Sequence, residues 1–170
     1  MTRWQVVVPI VIAVFSPSAL HAQDVRDRPP PAAELVLGYA GFVDDAMIHH
    51  GVAGGSIRFY LSPRISVGPE LVYMRGPGRD RDFFATGNVT VDVFGPSATR
   101  AVTPYLVAGA GAMRHTGDVG IGTYTSSEGA FTAGAGVRAR LSPRAYLGAE
   151  WRVGWEPHTR INAVVGFNLW

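Results

Sequence analysis

The sequence of 170 residues contains no cysteine and no lysine, so all 15 of its basic residues are arginine. Without cysteine, disulfide frameworks, thiolate metal sites and cysteine nucleophiles are excluded. Charged residues are scarce at 16% of the chain, against about 25% in an average soluble domain. The formal net charge is only +2 and no segment concentrates it, so nucleic-acid binding has no support.

Long hydrophobic runs are also missing, although 47% of the residues are hydrophobic. The apolar stretch Val6–Phe15 is too short for a membrane-spanning helix, which needs about 20 residues, and it contains Pro9. It follows Arg3, and the segment after it ends in a small residue, Ala22. This order is typical of a secretory signal peptide, so residues 1–22 are predicted to be cleaved after export.

The chain changes character twice after this segment. Residues 23–34 are mostly polar and include Pro29-Pro30-Pro31, which predicts an extended proline-rich linker. From residue 35 to residue 170 the sequence is predicted to form one β-domain, since it shows no helical periodicity.

Apolar and polar residues alternate through this domain. The clearest case is Arg144–Glu156, where one parity is entirely apolar and the other is charged, polar or glycine. Such alternation indicates a two-faced strand. Eight strands are predicted in this way: Leu35–Val43, Gly51–Leu61, Ile65–Met74, Phe83–Phe94, Thr103–Arg114, Glu128–Leu141, Arg144–Glu156 and Arg160–Trp170.

One turn is predicted to occur twice. Leu61-Ser62-Pro63-Arg64 recurs as Leu141-Ser142-Pro143-Arg144, and each copy is followed by a Gly-x-Glu tripeptide. Because proline presets the backbone for a tight turn, both copies are expected to join two strands in the same way.

Two architectures fit these strands, a soluble lipocalin-like barrel and an outer-membrane barrel whose aliphatic face meets lipid. Three observations favour the membrane barrel. The polar face sets glycines beside long side chains, as a narrow lumen requires. With the linker in the periplasm, the longest connection, His115–Ser127, faces outward. Aromatic residues are predicted to form belts at the two ends: Phe42, Tyr73, Phe83 and Trp155 at one, Phe59, Tyr105, Phe167 and Trp170 at the other.

The signal sequence, the Ser-Pro-Arg turns with Gly-x-Glu and the closing Val165–Trp170 together resemble the small outer-membrane β-barrel proteins of the OmpA/OmpX-like type. The resemblance implies an all-β fold, an eight-stranded antiparallel up-and-down transmembrane barrel. It also implies a monomer whose terminal aromatic residue is read by the barrel-assembly machinery. Here Trp170 is terminal, one residue out of register with the apolar stripe that ends at Leu169.

Charged residues on the inward parity are predicted to form a structural network in the lumen. Buried charges must be paired and hydrogen-bonded, so the expected role is a plug; a narrow passive channel is the alternative. The predicted set is Arg58, Glu70, Asp92, Arg138, Arg140, Glu150 and Arg152.

The histidines of the β-domain suggest a second possible site. His49, His50, His115 and His158 fall in predicted outward loops near acidic residues, a pattern that would suit a metal or pH-responsive rim. No ligand spacing repeats, so solvated histidines without a bound metal or cofactor are expected.

A lipid A-modifying enzyme is a less favoured alternative. His115 and Glu128 faintly resemble part of the site of the outer-membrane lipid A deacylases, but Gly117 stands where the serine would be needed and Thr116 faces the other way. We therefore expect a non-enzymatic protein with a structural or surface-interaction role in the outer membrane of a Gram-negative-type bacterium. Its expected partners are outer-membrane lipid and lipopolysaccharide, whose phosphates the arginines of Arg75–Asp82 could bind.

Overall fold

The computed structural model describes residues 28–43, 47–95, 101–118, 122–155 and 157–169. They form a closed antiparallel barrel in which each strand pairs with the next and β8 returns to pair with β1. In this part of the chain no helix has the length and apolar character needed to cross a membrane. The strands are β1 (Ala32–Val43), β2 (Met47–Tyr60), β3 (Ile65–Arg75), β4 (Arg81–Asp92), β5 (Val102–Asp118), β6 (Thr123–Arg140), β7 (Ala145–Gly154) and β8 (His158–Asn168).

The all-β class, the number of strands and the closed antiparallel order are confirmed. The predicted signal peptide and the linker as far as residue 27 lie outside the described residues. β1 begins at Ala32, three residues before the predicted start, so the end of the predicted linker is strand. We call the end of the barrel where β1 begins the N-terminal end, and the opposite end the loop end.

The predicted long loop His115–Ser127 is wrong, because β5 continues to Asp118 and β6 begins at Thr123. Polar residues in this segment look like loop, yet they pair across the hairpin: Thr116 Oγ1 lies 3.4 Å from Thr125 Oγ1. Between the described strands, the widest separation along the chain runs from Asp92, the end of β4, to Val102, the start of β5, and these two residues lie at the N-terminal end.

The apolar parity of each strand faces outward. Leu37, Leu106 and Ile161 are 50%, 57% and 63% exposed. Arg160, which precedes Ile161 on β8 and has the opposite parity, is only 1% exposed. In β5, where small and apolar residues occupy both parities from Leu106 to Gly111, Val107 is buried while Leu106 is exposed. The barrel therefore has an apolar outer surface and a mixed interior, the inverse of a soluble fold.

The two Ser-Pro-Arg turns adopt the same structure, as predicted. In the first, Ser62 Oγ accepts hydrogen bonds from the backbone N–H groups of Arg64 and Ile65, at 3.3 and 3.1 Å. In the second, Ser142 Oγ accepts from those of Arg144 and Ala145, at 3.2 and 3.0 Å. The serine thus caps the turn in both copies.

The predicted aromatic belts are confirmed in part. Tyr73 and Phe83 pair across β3 and β4 and are exposed near the loop end. Phe42 and Tyr105, which were predicted to belong to the belts, point inward instead. Three further residues predicted for the belts are exposed: Phe59, Trp155 and Phe167. Trp170 lies outside the described residues.

The interior carries an apolar layer towards the loop end, centred on Val72, Met74, Phe84 and Met113, all at most 2% exposed. Towards the N-terminal end a second, smaller apolar cluster lies beside charged side chains: Ala32, Val36, Tyr146 and Val164. There a Cβ at position 166 would overlap the Tyr146 ring, so only glycine fits. Glycine on the inward parity thus makes room for large side chains, as predicted.

Candidate functional site

The barrel interior holds two groups of ion-paired arginine and carboxylate side chains. The first group lies near the N-terminal end. Arg58 Nη2 donates to Glu34 Oε1 at 2.7 Å. Arg138 pairs through Nη2 with Asp92 and donates through Nη1 to the Tyr60 hydroxyl at 2.8 Å. We call Glu34, Arg58, Asp92 and Arg138 the N-terminal ion cluster.

Tyrosine rings surround this cluster. The Tyr146 hydroxyl donates to Glu34 Oε1 at 2.5 Å. The guanidinium groups of Arg58 and Arg138 lie 5.4 and 4.7 Å from the centre of the Tyr105 ring. These distances fall within the range of cation–π contacts, which strengthen when water is excluded.

The second group lies deeper in the barrel. Arg152 donates to Glu150 Oε1 at 2.6 Å and to Glu70 Oε2 at 2.9 Å, and Arg160 donates to Glu70 Oε1 at 2.5 Å. The Tyr105 hydroxyl donates to Glu150 at 3.1 Å and so joins the two groups. We call Glu70, Glu150, Arg152 and Arg160 the central ion cluster.

Each cluster contains two carboxylates and two guanidinium groups, so each is formally neutral. All four residues of the central cluster are at most 4% exposed. A charge removed from water is tolerated only when it is paired and hydrogen-bonded. Every charged group of the two clusters has an ion-pair partner of opposite sign, and three guanidinium nitrogens among the described residues have no hydrogen-bond partner: Arg58 Nη1, Arg138 Nε and Arg160 Nε.

Six of the seven residues predicted for the lumen take part in these clusters: Arg58, Glu70, Asp92, Arg138, Glu150 and Arg152. The seventh predicted residue is Arg140. It is exposed and lines a cavity at the N-terminal end, because it is the last residue of β6 and lies nearer that end than Arg138.

Sequence reasoning missed Glu34 and Arg160. Glu34 was assigned to the linker, although it has the same parity as the inward Val36. Arg160 shares a parity with Asn162, opposite the outward Ile161, so the alternation pattern did contain the signal. These two residues complete the charge balance of the clusters.

The histidines separate into two kinds. His49 is exposed and stacks on Tyr39 at 5.3 Å between ring centres. His50 and His158 are buried, and His158 stacks on Phe42 at 4.9 Å. His115 Nδ1 lies 2.6 Å from Asp82 Oδ1. Among the described residues, Asp80 and Asp82 are acidic neighbours of His50 and His115, and sequence proximity did not indicate them.

The residues of the enzyme hypothesis do not form a nucleophile–base pair. A Cβ at Gly117 would meet His115 Nε2 at 3.0 Å, but glycine has no hydroxyl to offer there. The Thr116 hydroxyl instead contacts Thr125, and Glu128 accepts from Trp155 Nε1 at 3.5 Å. His115 is held by Asp82 without a positioned hydroxyl from Thr116 or Gly117.

Solved structures similar to this chain include small outer-membrane barrels. The N-terminal β-barrel domain of Pseudomonas aeruginosa OprF matches with a TM-score of 0.67 at 15% identity, over 82% of this chain and 97% of that one. Neisserial surface protein A matches with a TM-score of 0.66 at 13% identity, over 82% and 96%. This chain has the fold of the small eight-stranded outer-membrane barrels.

A third outer-membrane-barrel fold of this kind is Ail, the attachment invasion locus protein of Yersinia pestis, solved with the heparin analogue sucrose octasulfate. It matches with a TM-score of 0.54 at 14% identity, over 81% of this chain and 96% of that one. No family model matches the sequence, and no curated protein matches it. At these identities the likeness establishes the fold alone.

Proposed function

We propose that this protein is a non-enzymatic integral outer-membrane barrel with a structural or surface-interaction role, whose lumen is plugged by its own side chains. The observation that carries the proposal is the inversion of burial. Large hydrophobic side chains such as Leu106 and Ile161 are more than half exposed, while Arg152 and Arg160 are at most 3% exposed. Such a surface is stable in lipid rather than in water.

Cavities at the two ends support a plug rather than a channel. One of about 170 Å³ lies at the N-terminal end and is lined by Asp92 and Arg138. One of about 320 Å³ lies at the loop end and is lined by His50 and Asp82. They share no lining residue, and the central ion cluster and the apolar layer occupy the space between them. An eight-stranded barrel encloses little more than its own side chains.

Cell fractionation with the native N-terminal segment tests the membrane assignment. The protein should be found in the outer membrane and migrate differently on gels before and after boiling, because closed membrane barrels resist detergent. In planar bilayers the purified protein should pass no sustained current. A protein wholly soluble in the periplasm would contradict the membrane assignment, and a steady open state would contradict the plug.

Arginines at the loop end give the proposed surface role a chemical basis. Arg75 and Arg81 are exposed and directly opposite each other on β3 and β4, where like charges repel unless an anion lies between them. Arg114 is exposed and opposite Phe83 on the neighbouring strand pair. Guanidinium groups bind phosphate bidentately, so we assign this patch to the phosphates of lipopolysaccharide.

Replacing Arg75 and Arg81 together by glutamine should weaken binding to lipopolysaccharide and reduce its dependence on salt. Replacing Arg144, an exposed arginine at the opposite end, by glutamine should leave binding unchanged. The measurement is co-sedimentation of detergent-purified protein with lipopolysaccharide at several salt concentrations. Equal binding by the double variant and the control would contradict this assignment.

A further inference from the structure

Three side chains that could bind a metal converge at the loop end, above the apolar layer. His50 lies on β2, Asp80 in the connection between β3 and β4, and Asp82 on β4. His50 Nε2 is 3.0 Å from Asp80 Oδ2 and 3.3 Å from Asp82 Oδ2. His50 is only 2% exposed and Asp82 only 1%. One ring nitrogen and two carboxylate oxygens therefore face one another in a buried position.

These short distances are not hydrogen bonds. Neither ring nitrogen of His50, nor Oδ1 of Asp80, has a hydrogen-bond partner among the described residues. Buried polar groups nearly always have a partner, and an unmet group indicates a water, an ion or a functional role. The three groups are close enough to interact but are not aligned as donor and acceptor. A cation between His50 Nε2 and the Oδ2 atoms of Asp80 and Asp82 would give that ring nitrogen a partner and balance the two facing carboxylates.

The spacing suits a first-row transition metal. Ligands on a tetrahedral zinc ion, bound at about 2.0–2.2 Å, are about 3.3–3.5 Å apart. The distances from His50 Nε2 to the two carboxylate oxygens, 3.0 and 3.3 Å, are close to this value, and all three ligand atoms lie within 4.8 Å of one another. A buried imidazole ligand favours such a metal over magnesium or calcium, which prefer oxygen ligands alone.

Glycine at position 76 keeps the site open. A Cβ there would lie 2.6 Å from His50 Nε2 and 2.8 Å from Asp80 Oδ2. The backbone at Gly76 is not in the left-handed region that favours glycine, so the missing side chain is explained by the need for space.

The neighbouring groups complete a metal site. His115 Nδ1 contacts Oδ1 of Asp82, at 2.6 Å, while Oδ2 of the same carboxylate faces His50. Hydrogen bonds of this kind orient a ligating carboxylate. The cavity of about 320 Å³ at the loop end is lined by all four residues and gives an ion a path of entry.

We propose that His50, Asp80 and Asp82 bind a divalent transition-metal ion of the zinc type, with His115 as a positioning residue for Asp82. Water from the cavity takes the remaining coordination position. The ion ties β2 to the β3–β4 connection at the loop end. This site is independent of the membrane assignment and of the plug.

Calorimetric titration of Zn²⁺ into the full-length mature protein, purified in detergent, tests the proposal. The wild-type protein should bind one ion. Asp82→Asn, which removes a ligand, and Gly76→Ala, which keeps every ligand but places a methyl group in the site, should each weaken binding by about 10- to 100-fold or more. His115→Ala should weaken it by about 10- to 100-fold.

Two variants serve as matched controls. Gly51→Ala adds a methyl group that meets nothing within 4 Å, next to His50. His49→Ala removes the adjacent, outward-facing histidine. Both should bind zinc as the wild type does, and boiling-dependent gel migration should show that every variant is folded. Absence of zinc binding by the wild type, or equal losses in Gly51→Ala and Gly76→Ala, would overturn the proposal.

Discussion

Replacing Glu70 by glutamine is expected to destabilise the barrel by about 3–5 kcal/mol, the cost of removing one partner from a buried ion pair. Glu70 accepts from Arg152 at 2.9 Å and from Arg160 at 2.5 Å, and it is 3% exposed. Its loss leaves two buried guanidinium groups with Glu150 as the one remaining carboxylate of the cluster. Urea unfolding in lipid vesicles, followed by gel migration of the folded form, measures the effect.

A double substitution distinguishes the effect of leaving a buried charge unpaired from the effect of changing the side chains that fill the lumen. Replacing Glu70 and Arg160 together by methionine removes one charge of each sign and leaves Arg152 paired with Glu150 at 2.6 Å. Apolar replacement of a whole buried pair is often neutral or stabilising, so the double variant should be more stable than Glu70→Gln.

Arg144→Gln is the control for this series, because Arg144 is exposed and its replacement should change stability by no more than about 0.5 kcal/mol. If Glu70→Gln behaved like this control, the central ion cluster would be solvated and the lumen would not be closed. A current through the Glu70→Gln variant in planar bilayers, absent from the wild type, would in turn support the plug.

The difference between Arg140 and Arg160 shows how far the sequence could predict the lumen. Both residues have the inward parity of their strands, and parity correctly predicts which way a strand's side chains point. Parity does not predict how far a residue lies from the ends of the barrel. Arg160 is fully buried, whereas Arg140 lies at the open N-terminal end. Depth depends on the stagger between strands, which is set when the barrel closes.

The same limit explains the aromatic belts and the loop-end cluster. Phe42 and Tyr105 lie near strand ends but have the inward parity, so their position along the chain misled the prediction. His50 and Asp82 are brought together across three strands by the pairing of β2, β3 and β4. No local spacing could indicate that contact. The Ser-Pro-Arg turns were predictable because their hydrogen bonds span only neighbouring residues.

Replacing Leu37 by arginine is expected to destabilise the barrel in a bilayer by about 2–4 kcal/mol, the cost of a charge on the lipid face near the membrane midplane. Leu37 is 50% exposed, lies near the middle of β1 and is flanked by Ala53 and Ala163. The unfolding free energy in vesicles, measured by urea titration, reports the change.

Val43→Arg provides the matched comparison, because Val43 ends the same strand, has the same outward parity and is 60% exposed. Near the interface an arginine should cost only about 0–1 kcal/mol, since its long side chain can reach water. If the outer surface faced water, arginine would change the unfolding free energy equally at the two positions. Equal stabilities for Leu37→Arg and Val43→Arg would therefore contradict the membrane assignment. A destabilisation by arginine that increases from the end of β1 to its middle requires an apolar medium around the barrel. The alternating apolar residues of the sequence would then be the residues that contact the lipid.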